Sequence, residues 1–246
     1  MHVSIAEPIK REVKSHAGAE FFCQGIEQLD GKIACQYSRV LIAGCGAGHE
    51  AALIQQILEA ETHAVDVDDL MDPRYQNWPA LEYQVASVCE LPFKDSCFDA
   101  IFYHHVIEHV ADPAASLAEL SRVLKPGGWI FIGTPNRHRL ISSVGAHKQS
   151  TWEPNLQNKM KDNLDVYWAR LRGRFRNYHG AHAGFSRKEL SAMLMTDFAD
   201  QWWVTEDYLR YKYRDHRLKK LIPAMSSKWL CGIASPSIYV FAKNGK

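Results

Sequence analysis

Residues 40–58 read VLIAGCGAGHEAALIQQIL, and this stretch decides the fold. Val40 to Ala43 is a short aliphatic run of strand length. Gly44-Cys45-Gly46-Ala47-Gly48 follows at once, and Leu53, Ile54, Ile57 and Leu58 then recur at a spacing that places all four on one face of a helix. The order is strand, glycine loop, helix.

The same alternation continues outward. Thr62 to Val67, Leu81 to Ala86 and Phe98 to Tyr103 are each short enough for a strand buried on both faces, and a proline-containing segment, Met71 to Trp78, lies between the first two. Asp112 before Pro113 is a helix start, an N-cap with proline at the first helical position. Leu117, Leu120, Val123 and Leu124 continue on one face until Pro126-Gly127-Gly128 stops the helix, and Trp129 to Gly133 reads as a further strand. Alternating strands and helices imply parallel pairing with right-handed crossovers, a Rossmann-like, doubly wound α/β sheet. Residues 138–180 break the rhythm. They are rich in Arg, Asn and Trp, include an amphipathic pattern through Leu164, Tyr167, Trp168 and Leu171, and read as a helical insertion. Regular structure resumes where Ser186 and Glu189 form a capping box ahead of Leu190, Met193 and Leu194. Trp202 to Leu209 and Ser237 to Ala242 are expected as the last strands, with Tyr208, Tyr211 and Tyr213 as strand and core aromatics.

A chain of 246 residues, 46% hydrophobic and 23% charged, has ordinary globular composition and length for one good-sized core. Cys23, Cys35, Cys45, Cys89, Cys97 and Cys231 are scattered with no CxxC pair, so neither a structural zinc site nor a disulfide framework is indicated. No apolar run reaches the roughly 18 residues of a membrane span. These features lead us to expect a single cytoplasmic domain without bound metal. The formal net charge of +1 hides a partition: residues 40–125 hold 4 Lys/Arg against 14 Asp/Glu, and residues 137–187 hold 10 against 3. An acidic part facing a cationic ligand and a basic part facing an anionic one would account for this split.

Asp66 lies 22 residues beyond Gly44, at the end of the second strand, where a carboxylate can accept hydrogen bonds from both ribose hydroxyls of a nucleoside. The glycines let the backbone turn and a ligand approach without meeting a Cβ. His49 stands where a dinucleotide fingerprint would have its third glycine, and the acidic surroundings suit a sulfonium and an ammonium better than a pyrophosphate. S-adenosylmethionine is the better candidate.

VLIAGCGAG at 40–48, AVDVD at 64–68, ELPFKDSCFDAIFYHHVIEHVADP at 90–113, RVLKPGG at 122–128 and IGTPNR at 132–137 together resemble the class I S-adenosylmethionine-dependent methyltransferases. Within that class the likeness is to the subgroup that includes ubiquinone-biosynthesis methyltransferases. The resemblance implies a seven-stranded, mostly parallel sheet, with residues 38–137 as the cofactor-binding core, 138–180 as a lid and 181–246 completing the fold. It implies that Gly44, Cys45, Gly46 and Gly48 run under the methionine moiety and that Asp66, with Val67 beside it, holds the ribose. Ser87 and Val88 would flank adenine, while Tyr103, His104 and His105 line the floor near the methyl donor. Two positions depart from the family pattern. Ile42 stands where Asp or Glu is usual, so support for the methionine ammonium must come from elsewhere, and Ser87 stands where Asp usually reads the adenine amino group.

Methyl transfer is an in-line displacement that chiefly needs its partners held in line, and an alcohol or phenol acceptor gains from a histidine base near neutral pH. His104 and His105, at the end of the fourth strand, are the favoured candidates, with His105 put first, and His182, in the HAGFS segment before the capping box, is the other. Glu108 and His109 read as support for the following helix. Trp152, Tyr167 and Trp168 suit a substrate with aromatic or lipidic bulk, and Arg170, Arg172, Arg174 and Arg176 suit its acidic groups, though their i, i+2 spacing spreads them around a helix. The expected acceptor is a small organic molecule with an oxygen nucleophile. A tRNA or other nucleic-acid methyltransferase and a non-catalytic binding protein of the same fold are the alternatives. Oligomeric state is left open by the sequence.

Overall fold

The computed structural model describes residues 13, 15–29, 38–139, 156–174, 183–214 and 235–245. Seven strands, β1 (Arg39–Ala43), β2 (Glu61–Asp66), β3 (Leu81–Val85), β4 (Phe98–His104), β5 (Leu124–Pro135), β6 (Phe198–Trp203) and β7 (Ser237–Asn244), form one sheet in the order β3-β2-β1-β4-β5-β7-β6. Pairing is parallel except at β7, which runs antiparallel to both neighbours. The expectation of a mostly parallel, doubly wound sheet is met. The chain leaves β1 toward β2 on one side and later returns to β4 on the other, so the strand order reverses between β1 and β4. In open α/β sheets the crevice at such a reversal, outside the carboxyl ends of the strands, is where ligands bind.

Helices cover both faces. On one, Phe21 and Phe22 of α1 (Ala17–Leu29), Leu53 and Ile54 of α2 (His49–Leu58) and Tyr208 of α7 (Thr205–Lys212) pack with Phe102, Phe131 and Phe241 of the sheet. On the other, Leu117 and Leu120 of α4 (Pro113–Val123) and Leu190 and Leu194 of α6 (Arg187–Leu194) pack on Leu41, Ile101, Ile130 and Val240. A short α3 (Pro73–Gln76) falls within the proline-containing segment, and α5 (Leu156–Leu171) follows β5. The caps are as expected: the Asp112 side chain accepts from the Ala115 N–H at 3.0 Å, and Ser186 and Glu189 exchange the two bonds of a capping box.

Two expectations need correction. Leu124 does not continue α4 but is extended and opens β5, since the helix ends at Val123. Trp202 to Leu209 is not one strand. β6 ends at Trp203, and α7 begins at Thr205 with Glu206 and Asp207 in its first turn and Arg210 and Lys212 in its last, a charge order that suits the helix dipole. Tyr208 and Tyr211, three residues apart, bury themselves against Phe21, which explains the aromatic richness without a strand.

Gly184 belongs to the strap that fastens the segment before α6 to the end of β5. Phe185 N–H donates to the Pro135 carbonyl at 3.0 Å, and Arg137 reaches the Gly184 carbonyl at 2.9 Å. Gly184 has φ +73°, and a Cβ there would lie 1.8 Å from the Pro135 oxygen, a backbone atom. Gly184→Ala should therefore destabilise the fold by roughly 2 to 4 kcal/mol, from left-handed strain and overpacking together. Denaturant titration checks this; an unchanged midpoint would mean that the strap is not tight.

Candidate functional site

The glycine loop is fastened to the end of β2. Gly44 and Cys45 both donate their N–H to the Val65 carbonyl, at 2.8 and 3.0 Å, and the Gly46 N–H donates to Asp66 Oδ2 at 2.7 Å. Asp66 Oδ1 accepts from the Asp68 N–H at 3.3 Å. The carboxylate thus shapes the loop as well as standing beside it. Gly44 and Gly46 carry positive φ, +78° and +49°. A Cβ on Gly44 would lie 2.3 Å from Val106, so only glycine lets the segment after β4 come so close; a Cβ on Gly46 would meet nothing within 4 Å among the described residues, so that side of the loop is open to a ligand.

Beside the loop lies apolar surface that a folded chain ordinarily covers. Val67 is 69% exposed, with Leu70 and Val85 also largely exposed at the ends of β2 and β3. Ser87 is exposed, its hydroxyl accepting from the Cys89 N–H at 3.1 Å, whereas Val88 and Cys45 are buried. A carboxylate, an open glycine cradle and a bare apolar shelf, all at the carboxyl edge, fit the ribose, tail and adenine of a nucleoside donor.

The end of β4 supplies the imidazoles. Tyr103, expected on the floor, turns instead into the α4 side of the core, fully buried, with its hydroxyl donating to Ser116 at 3.1 Å. His104 turns to the other face, where its ring stacks over Phe131 and Tyr239, 6.3 and 6.0 Å between centroids. Gly133 makes room for it, because a Cβ there would come within 2.6 Å of the imidazole. Burial, followed by the neighbouring His105, lowers the His104 pKa to about 4. His105 has φ +56°, an uncommon backbone for a residue with a side chain and one that concentrates at functional sites. Its N–H is held by the Gly133 carbonyl at 2.7 Å.

The His105 side chain is about one-third exposed, and its Nδ1 lies 3.2 Å from Glu108 Oε1. The Glu108 carboxyl is buried, and its Oε2 accepts from the Thr134 hydroxyl at 3.1 Å. Burial works to raise the Glu108 pKa, but the hydrogen bond and charge of His105 outweigh it and hold the group below its ordinary value. The result is an imidazole oriented through Nδ1 by a buried carboxylate, with no hydrogen bond to Nε2 among the described residues. The sequence suggested only a helix-supporting role for Glu108. The i, i+3 spacing from His105 was visible there, but the 3₁₀ turn Ile107–His109 that brings the two together was not.

His182, Trp152 and Arg176 lie outside the described residues. Of the insertion, α5 bears out the helical pattern, with Leu164, Tyr167, Trp168 and Leu171 all exposed. Its arginines do not act as a set. Arg170 donates to the Arg137 and Arg139 carbonyls, at 2.8 and 2.6 Å, fastening α5 to the segment after β5, whereas Arg172 and Arg174 follow the helix and are exposed. No helix among the described residues is long and apolar enough to cross a membrane.

Residues 41–132 match the family model of a methyltransferase domain. A probable S-adenosylmethionine-dependent methyltransferase of Mycobacterium tuberculosis is 36% identical over 104 residues, 42% of this chain and 38% of that protein. A ubiquinone biosynthesis O-methyltransferase of Parvibaculum lavamentivorans is 28% identical over 176 residues, 69% of this chain and 67% of that one. The chain spans only 29 to 40% of the length of the four relatives that include the mycobacterial protein. In fold, it resembles the YcgJ protein of Bacillus subtilis with a TM-score of 0.55 at 18% identity, over 94% of this chain and all of that one. The matched residues run from β1 to β5 and contain the glycine loop, Asp66 and the His105–Glu108 pair. That match, the seven-stranded order with an antiparallel β7 and the sequence relatives agree: residues 41–132 match a methyltransferase domain, and the chain is similar to the class I S-adenosylmethionine-dependent methyltransferases, a family whose methyl donor is S-adenosylmethionine.

Proposed function

We propose that the chain transfers a methyl group from S-adenosylmethionine to an oxygen of a small organic acceptor. The observation that carries this reading is the pairing, at one edge of the sheet, of the Gly46–Asp66 loop with a carboxylate-oriented imidazole at His105. When bound, the donor supplies an electrophilic methyl on a sulfonium. Asp66 holds the ribose; Val67, Ser87 and Val88 bound the adenine; Gly44, Cys45, Gly46 and Gly48 carry the tail; and the backbone of Tyr103 with His104 closes the floor.

His105 is the base. A hydroxyl acceptor keeps its proton at neutral pH and becomes a competent nucleophile as that proton leaves, so a base within hydrogen-bond reach helps an oxygen acceptor most. Glu108, fixed by Thr134, keeps Nδ1 of His105 as the donor nitrogen and leaves Nε2 to receive the proton. A neutral amine acceptor brings its own lone pair and gains little from this arrangement. Two relatives carry the names ubiquinone biosynthesis O-methyltransferase and tocopherol O-methyltransferase, which supports an oxygen acceptor with aromatic or lipidic bulk. The expected lid, residues 138–180, lies in large part outside the described residues; its described helix, α5, follows the carboxyl end of β5 in the chain, which supports a place over that acceptor. His182 is the second candidate base.

Incubation with methyl-tritiated S-adenosylmethionine and a panel of phenols, hydroxylated lipids, amines and bulk tRNA tests the reading. Label recovered in a phenolic or alcoholic ether is the expected result. Label confined to amines or to tRNA would overturn it.

A further inference from the structure

Glu50 is the second residue of α2, two positions beyond the last glycine of the loop. Its carboxylate is gripped from two directions. Nδ1 of His16, on the segment that enters α1, lies 2.8 Å from Oε1, and Nδ1 of His104, at the end of β4, lies 3.2 Å from the same oxygen. No hydrogen bond among the described residues uses Oε2, and about a fifth of the side chain is exposed. Burial opposes the charge on Glu50, but the two imidazoles outweigh it, and the carboxyl stays well below its usual range. An ionised carboxylate held on one oxygen by two elements, with its other oxygen unspent, is more than a tie between helices requires.

Its place along the loop gives it a use. Asp66 and Glu50 both act, after burial, to raise the Cys45 thiol, to about 12, so the charge of both carboxylates is felt at the same loop residue. Asp66 lies at the β2 end of the loop and Glu50 at the α2 end. A donor whose ribose rests on Asp66 must run its methionine tail along the loop, and that tail ends in an ammonium. Ile42 is fully buried in the core and offers it nothing.

We propose that Glu50 receives the methionine ammonium of the donor through Oε2, while His16 and His104 hold its Oε1, and that Glu50 thereby selects a donor with an intact amino-acid end. The inference rests on the loop being the donor site, as proposed above. Toward the ammonium, His16 and His104 are positioning residues in this scheme: they fix the carboxylate that receives it.

Calorimetric titration of the full chain with S-adenosylhomocysteine and with 5′-methylthioadenosine, which has the adenosine and sulfur but no amino-acid tail, tests it. Glu50→Gln, which keeps an oxygen for the two imidazoles, should weaken S-adenosylhomocysteine about 10- to 100-fold and leave 5′-methylthioadenosine within about twofold. Asp66→Ala should weaken both. Equal loss of both ligands in Glu50→Gln, or loss of neither, overturns the Glu50 assignment. Unchanged binding of both in Asp66→Ala removes the donor site itself. A measurement on the wild-type chain avoids any folding defect: an S-adenosylhomocysteine analogue lacking the amino group should bind at least about tenfold more weakly than the parent, and equal binding would overturn the proposal.

Discussion

Replacing Asp66 by Ala should weaken S-adenosylhomocysteine binding by about 1.5 to 3 kcal/mol, the range for losing hydrogen bonds to a charged group. Two losses add in the variant. The ribose hydroxyls lose their acceptor, and the Gly46 N–H, held by Oδ2 at 2.7 Å, loses the bond that keeps the loop in its left-handed turn. Asp66→Asn separates them, because an amide oxygen can still accept from Gly46 but carries no charge for the donor's hydroxyls; it should fall between wild type and Ala. Isothermal calorimetry reads both. Asp66→Ala binding with wild-type affinity would refute the ribose assignment, whatever its effect on turnover.

Removing the imidazole of His105 should lower kcat by about 10²- to 10⁴-fold, the usual contribution of a positioned base, with donor affinity unchanged. Loss of turnover together with donor binding would make His105 a structural residue. Glu108→Gln is the finer probe. It keeps the shape and the Thr134 bond but weakens the orientation of His105, so kcat should fall less than in His105→Ala. The same substitution has a stability signature with a definite sign. Glu108 has a depressed pKa, so its contribution to stability is fully present above the ordinary carboxyl value and is lost as pH falls through the lower, folded-state value. Glu108→Gln should therefore lose stability near neutrality and show a shallower acid decline than wild type. A parallel decline in both proteins would mean that the carboxylate is not held as described.

The strand–loop–helix unit was legible because each part follows local rules. Val40 to Ala43 is aliphatic and buried, the loop needs glycine at φ values that other residues resist, and α2 repeats with helical period. Nothing before Val40 announces a helix in the sequence, and the reason lies in tertiary structure. In α1, Gly18 and Gly25 lower helix propensity, yet a Cβ at Gly18 would lie 2.9 Å from His104 and one at Gly25 would lie 2.3 Å from the Phe241 ring. Those glycines are spent on close approach to the sheet. The same blindness hid Glu50. Nothing near it in sequence hints at His16 or His104, which come from chain segments on either side of it and meet it only once α1 lies over α2 and β4. Tyr103 shows the converse error: strand alternation turns neighbouring residues to opposite faces, so one motif could not send both Tyr103 and His104 to the same floor. Asp66 could be found by counting, because the length of one βαβ unit fixes its distance from the loop.

The most direct test is a structure of the full chain with S-adenosylhomocysteine bound. The account predicts ribose hydroxyls about 3 Å from the Asp66 carboxylate, adenine on the shelf at Val67 and Val85, and sulfur facing the His104–His105 end of β4. A nucleoside seated anywhere that leaves Asp66 and Gly46 untouched would contradict it.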